Sequence, residues 1–129
     1  MKFFILLLCL FPLLAIAELP PSAYENMQAK APEFFKIEVL RVDVSPGAKP
    51  EEQSVHVVAM VTQVIRTASE AKADEIINIL YTITDHPKGW VGPGAIPLLE
   101  DKQQTVAYLS KGETGDFSPA AGRMSFSNF

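Results

Sequence analysis

Cysteine is nearly missing from this chain: among its 129 residues only Cys9 is one, and it lies in the apolar N-terminal stretch. No disulfide framework can form within the rest, and no Cys-x-x-Cys pair offers a zinc or redox site. Histidine is almost as scarce, with only His56 and His86, at a spacing that rules out His-x-x-x-His. No Asn-x-Ser/Thr acceptor occurs, since Asn26, Asn78 and Asn128 all lack the hydroxyl residue. Gly92-Pro93-Gly94 is not followed by Lys-Ser/Thr, so no phosphate-cradling loop is encoded. No serine stands in a Gly-x-Ser-x-Gly turn. A basic surplus is also lacking: 11 Lys and Arg against 15 Asp and Glu give a net charge of −4, which argues against nucleic acid as a partner.

What is present begins with an export leader. Lys2 is followed by an apolar run from Phe3 to Leu14, then by Ala15-Ile16-Ala17, small residues where a signal peptidase needs them. The run is well short of the roughly 20 residues that span a bilayer as a helix. Leu8 is too bulky for the residue that precedes a lipidated cysteine. Residues 1–17 are therefore read as a signal peptide, with Glu18 as the expected new N-terminus and no membrane span once the leader is removed. The expected location is periplasmic or secreted, and the lack of disulfides and glycosylation acceptors favours the periplasm.

Residues 18–33 read as an N-terminal extension with a short helix. Ser22 is its candidate cap, Tyr24, Met27 and Ala31 form its apolar stripe, and Pro32 lies just beyond it. From residue 34 to 129 the period switches to two. Phe35, Ile37 and Val39 alternate, then Leu40, Val42 and Val44 alternate in the opposite phase, as expected of a bulge that bends a strand. Residues 45–53, rich in proline and glutamate, read as a hairpin loop. Val55, Val57, Ala59 and Val61 form a second strand, and the polar, alanine-rich stretch 67–74 a connector with room for one helical turn. Ile77, Ile79, Tyr81 and Ile83 form a third strand, in which Leu80 breaks the polar side. Residues 105–110 and 116–126 supply a fourth and a fifth strand around a long connection, 85–102. The expected fold is mainly β, a five-stranded antiparallel barrel of the oligonucleotide/oligosaccharide-binding type with a short N-terminal helix. A two-sheet β-sandwich is the alternative.

The strand Asp74-Glu75-Ile76-Ile77-Asn78-Ile79-Leu80-Tyr81 resembles the strand of netrin-like domains in which a polar pair precedes alternating aliphatics and a tyrosine. Gly92-Pro93 with Pro97-Leu98-Leu99, then Thr105-Val106-Ala107-Tyr108-Leu109, is similar to the proline loop and following strand of that superfamily, which includes the tissue inhibitors of metalloproteinases. The resemblance covers about residues 35–126 and implies the five-stranded barrel. Inhibitors of that family chelate the protease zinc through a disulfide-bonded N-terminal cysteine, and Glu18 cannot replace it. The resemblance thus implies the scaffold and not the inhibitory chemistry.

No residue set points to catalysis. His56 sits within a strand, and His86 follows Asp85 at a strand end, where loop residues often meet ligands. A small metal-binding protein or enzyme using His56 and His86 is the alternative to a binding function. The pairs Glu51-Glu52, Asp74-Glu75 and Glu100-Asp101 fall in connections and read as solvated charge. The methionines suit core filling better than copper. No cofactor is expected. The stiff, glycine- and proline-rich connection presents Trp90, Pro93, Ile96 and Pro97 beside His86, and these five are the candidate binding residues. The expected function is that of an exported, non-enzymatic interaction module binding a protein or a cell-envelope component through a rim made of residues 45–53 and 86–99. A Trp90 folded inward to cap the barrel is the competing arrangement.

Overall fold

The computed structural model describes residues 18–86, 89, 92 and 94–127. The expected leader, Trp90 and Pro93 therefore lie outside the described residues. The element order is α1 (Pro21–Lys30), β1 (Glu33–Pro46), β2 (Glu52–Arg66), β3 (Ile76–Thr84), β4 (Gln104–Lys111) and β5 (Phe117–Pro119), followed by a 3-10 turn at Gly122–Met124. Among the described residues no helix is long and apolar enough to cross a membrane.

The strands close into a barrel in the order β1-β2-β3-β5-β4, with β4 returning to β1. This is compatible with an oligonucleotide/oligosaccharide-binding type of barrel and not with two separate sheets. Every pairing is antiparallel except β3 with β5, which run parallel and meet at Ile79 and Phe117. The fifth strand is shorter than its sequence pattern indicates. Pro119 cannot donate to a ladder, and Gly122 has φ +53°, so the chain leaves the sheet after three residues and turns.

The interior follows from the period-two pattern. Phe35, Ile37 and Val39 of β1, Val55, Val57, Ala59 and Val61 of β2, Ile77, Ile79 and Tyr81 of β3, Ala107 and Leu109 of β4, and Phe117 of β5 form one buried cluster. The change of phase in β1 is a bulge: the register against β2 shifts between Val39 and Arg41, which leaves Leu40 45% exposed. Val42 then packs against the core from a half-buried position, while Val44 is exposed because β1 and β2 run on beyond the closed part of the barrel. At the tip of this hairpin Gly47 lies so close to Glu52 that a Cβ would come within 2.7 Å of Glu52 Cβ.

The helix α1 packs outside the barrel core, where its Met27 joins a cluster with the outward-facing Phe34, Val106 and Tyr108 of β1 and β4. Proline at its first position fixes a helical φ, Pro20 occupies the cap position, and Ser22 lies inside the first turn rather than capping it. Tyr24 and Gln28 are buried, and Ala31 packs with Tyr108 and Ala121. Gln28 donates to the carbonyls of Met124 (2.8 Å) and Ser127 (2.7 Å). Arg66 donates to the carbonyls of Gln28 and Ala31, closing the C-terminal end of the helix, and its guanidinium lies over the Phe34 ring.

The connector after β2 has no helical turn; it captures a carboxylate instead. Glu33 is fully buried at the start of β1. It accepts bonds from the amides of Ala68 and Ser69 (both 2.9 Å) and from the hydroxyls of Thr67 and Ser69. Thr67 Oγ1 in turn accepts the Ala71 amide, which folds the connector into a compact turn, and Glu70 within it takes φ 62°.

Candidate functional site

The strands β1 to β3 place alternate side chains outside the barrel. Within β2 and β3 these are Ser54, His56, Val58 and Met60, facing Thr82, Leu80, Asn78 and Ile76 respectively. Facing water, such a sheet surface would normally be polar. Here Val58 and Met60 are half-buried, Ile76 is 52% exposed, Leu80 is 42% exposed, and the bulge adds Leu40. His56 Nε2 bonds to Asn78 Oδ1 at 2.8 Å, a polar pair set within aliphatic neighbours. At one border an open groove of about 470 Å³ is lined by Asp43, Ser54, His56, Leu80 and Thr82. At the β1 border Arg41 and Asp43 form an exposed ion pair at 2.9 Å.

The candidate residues named from sequence are arranged differently from a displayed rim. Ile96 is half-buried and packs against the core, so it faces inward. Pro97 is exposed, but its carbonyl accepts the Tyr81 hydroxyl at 2.9 Å, and the Leu99 amide in turn donates to the Tyr81 hydroxyl oxygen at 3.4 Å. Burial raises the Tyr81 pKa, and the phenol stays a neutral donor to Pro97. This segment thus packs onto the barrel core through Ile96 and Leu99, with Leu98 left 48% exposed outside. His86 is exposed beyond the end of β3. Trp90 and Pro93 lie outside the described residues. At the other stretch of the expected rim, the hairpin tip 44–53 forms a shallow cradle of about 510 Å³.

Tyr81→Phe should loosen the segment 96–99 without unfolding the barrel. The expected cost is about 1–2 kcal/mol, since the buried Leu99 amide loses its only side-chain acceptor. Native-state hydrogen exchange should show faster exchange at Leu99 with little change at Ile79.

Among the described residues no three His, Cys, Asp or Glu side chains gather in a way that could hold a metal ion. Of the acidic pairs, Asp101 has a structural role, its Oδ1 accepting the Val42 amide at 3.1 Å.

A second polar cluster escaped the sequence reading. The Glu18 carboxylate accepts the Tyr24 hydroxyl, the Gly94 amide (2.9 Å) and Arg123 Nε (3.1 Å). The guanidinium of Arg123 lies 4.7 Å from the Tyr24 ring centroid. The bonds from Tyr24, Arg123 and Gly94 outweigh partial desolvation and hold the Glu18 pKa below the ordinary carboxylate range. The residue expected to follow leader cleavage is therefore tied to α1, to the long connection and to the C-terminal turn at once. Only contacts across 76 and 105 positions reveal it.

No family model matches the chain, and neither a curated protein nor a solved structure matches it.

Proposed function

We propose that this protein is an exported, non-enzymatic interaction module of the cell envelope that binds a protein or envelope component through the outer face of β1 to β3. The observation that carries this reading is the aliphatic set Leu40, Val58, Met60, Ile76 and Leu80 on a surface that the fold itself does not bury. Clustered exposed apolar side chains, rimmed by polar groups, are the usual mark of an interaction site. The Arg41–Asp43 pair lies at its border, and the His56–Asn78 pair within it supplies polar groups that fix orientation. The sequence places the binding surface on the loops at the barrel rim. The outer face is preferred because Ile96 packs against the core and the Pro97 carbonyl is engaged by the Tyr81 hydroxyl. Export rests on the leader pattern of residues 1–17, and periplasmic location on the lack of cysteine in the rest of the chain. The netrin-like resemblance contributes the scaffold only, because no cysteine stands at Glu18 to reproduce the inhibitory chelate.

The test is crosslinking in intact cells followed by mass spectrometry, with wild type compared with Ile76→Glu. Ile76 is half exposed, so the charge should leave the melting temperature nearly unchanged. Specific capture by wild type and its loss in the variant is the expected result, with intact mass showing a chain that starts at Glu18. Equal capture by both proteins would remove the outer face from consideration. A chain that retains residues 1–17 in the cell would remove export.

A further inference from the structure

We infer that the segment 94–99 is a strap with two fastenings of unequal acid sensitivity: protonation of Glu18 frees its Gly94 end, while its Pro97 end stays fixed to the barrel. This goes beyond the proposed binding function, which uses the outer face of β1 to β3.

No strand or helix holds this segment, and among the described residues no backbone–backbone hydrogen bond reaches residues 94–99. Two side chains hold it instead. At one end the Gly94 amide donates to Glu18 Oε2 (2.9 Å). At the other, Tyr81 donates to the Pro97 carbonyl and accepts the Leu99 amide, with Ile96 and Leu99 packed on the core. The Gly94 fastening is shaped for close approach. A Cβ at Gly94 would lie 3.0 Å from Arg123 Cδ, and one at Gly122, which has φ +53°, would lie 3.4 Å from Tyr24 Cε1. The two glycines thus let the strap, the C-terminal turn and α1 meet at one carboxylate. The Glu18 and Arg123 side chains are 36% and 38% exposed, so water and protons reach the cluster.

Of the groups that meet here, only Glu18 changes charge on acidification. The strap has no titratable side chain over 94–99, α1 contributes the Tyr24 phenol, and the C-terminal turn contributes Arg123. Burial and the Glu18 carboxylate raise the Tyr24 pKa, and the bond to the same carboxylate raises that of Arg123, so both keep their protons in acid. The α-amino group that leader removal would leave on Glu18 titrates only at about pH 8. Glu18 Oε1 accepts both Tyr24 and Arg123 Nε, whereas Oε2 accepts Gly94 alone. A proton therefore settles on Oε2, the oxygen with fewer donors, and removes the charge that the Gly94 amide meets. The bonds from Tyr24, Arg123 and Gly94 hold the Glu18 pKa below its ordinary value of 4.5. The fastening is thus complete above that value and is lost as pH falls through the lower one. The Tyr81 fastening is indifferent over the same range, because burial raises the phenol pKa and keeps it a neutral donor.

The test is a nuclear magnetic resonance titration of the chain isolated from cells, from about pH 6 to about pH 3, below the range of the histidines. The Gly94 amide and Arg123 Nε signals should shift together with one midpoint below 4.5. The order parameter of Gly94 should fall from about 0.85 to below about 0.6 across it, while those of Leu99 and Ile79 stay high. In Glu18→Gln the Gly94 signal should sit near its acid position throughout and show no inflection. Glu33 titrates in the same direction, and the Ala68 and Ser69 amides report on it separately. A Gly94 signal without an inflection in wild type, an inflection that persists in Glu18→Gln, or Leu99 loosening together with Gly94 would overturn the strap. Capture through the outer face is not read in this experiment, so its failure and the failure of the binding proposal are separable.

Discussion

Replacing Glu33 with alanine should lower the stability of the barrel by about 3 kcal/mol, and the melting temperature by roughly 10–15 °C. The carboxylate is fully buried, and the amides of Ala68 and Ser69 and the hydroxyls of Thr67 and Ser69 converge on it. Truncation leaves those donors without an acceptor in a place water reaches poorly, which is costlier than never having built the network. Glu33→Gln keeps the volume but offers one acceptor oxygen and a mismatched NH2 group, so an intermediate loss is expected. The same group gives the molecule an acid-sensitive term. Burial by itself raises the Glu33 pKa, but the bonds from Ser69, Ala68 and Thr67 outweigh burial, and the net shift is downward. A depressed carboxylate stabilises the folded state fully above its unfolded value, near 4.5, and that stabilisation is lost as pH falls through the lower folded value. Denaturant titrations of wild type should therefore lose stability progressively below about pH 4.5, and Glu33→Gln should flatten that part of the profile. A profile identical in the two proteins would show that Glu33 is not ionised in the folded state.

This network also marks the limit of what the sequence discloses. Alternation in β1, β2 and β3 is written in the residues: every second aliphatic from Phe35 to Val39, from Val55 to Val61 and from Ile77 to Tyr81 is buried. The bulge is legible too, because Leu40 and Val42 reverse the phase. Periodicity describes one segment at a time, however. Glu33 meets its donors 34 to 36 positions away, and nothing local separates it from the solvated acids of the connections. The Glu18 cluster is hidden for the same reason. The outer face left a partial trace, since Leu80 stands on the side where Asn78, Thr82 and Thr84 are polar. Its meaning becomes visible only when register places Leu80 beside His56 and sets Ile76 against Met60. The extended fifth strand misled in the other direction: Phe117 and Phe126 are both buried, but only the first belongs to a strand, and the second reaches the core after the 3-10 turn.

That short strand makes Phe117 the second position of large expected effect. Three residues of β5 join β3 to β4 and so close the barrel, and Phe117 is the one side chain of the three buried in the core. Its ring meets Phe35 edge-on with centroids 5.9 Å apart, which ties the closing strand to the first strand across the interior. Phe117→Ala removes both the packing and the only inward anchor of the segment, for an expected loss of about 3–4 kcal/mol and roughly 10–20 °C in melting temperature. Phe117→Leu keeps most of the volume and should lose less than half as much. The consequence should also be directional. With β5 detached, the Asn78 carbonyl and the Leu80 amide join the open edge of β3, which lengthens it into an uncharged template for further strands. Phe117→Ala should accordingly aggregate on mild heating, as followed by light scattering, while a Phe117→Ala/Thr82→Lys double variant, with charge restored to that edge, should stay soluble at the same melting temperature. If both proteins aggregate alike, the β3 edge is not where the opened barrel associates.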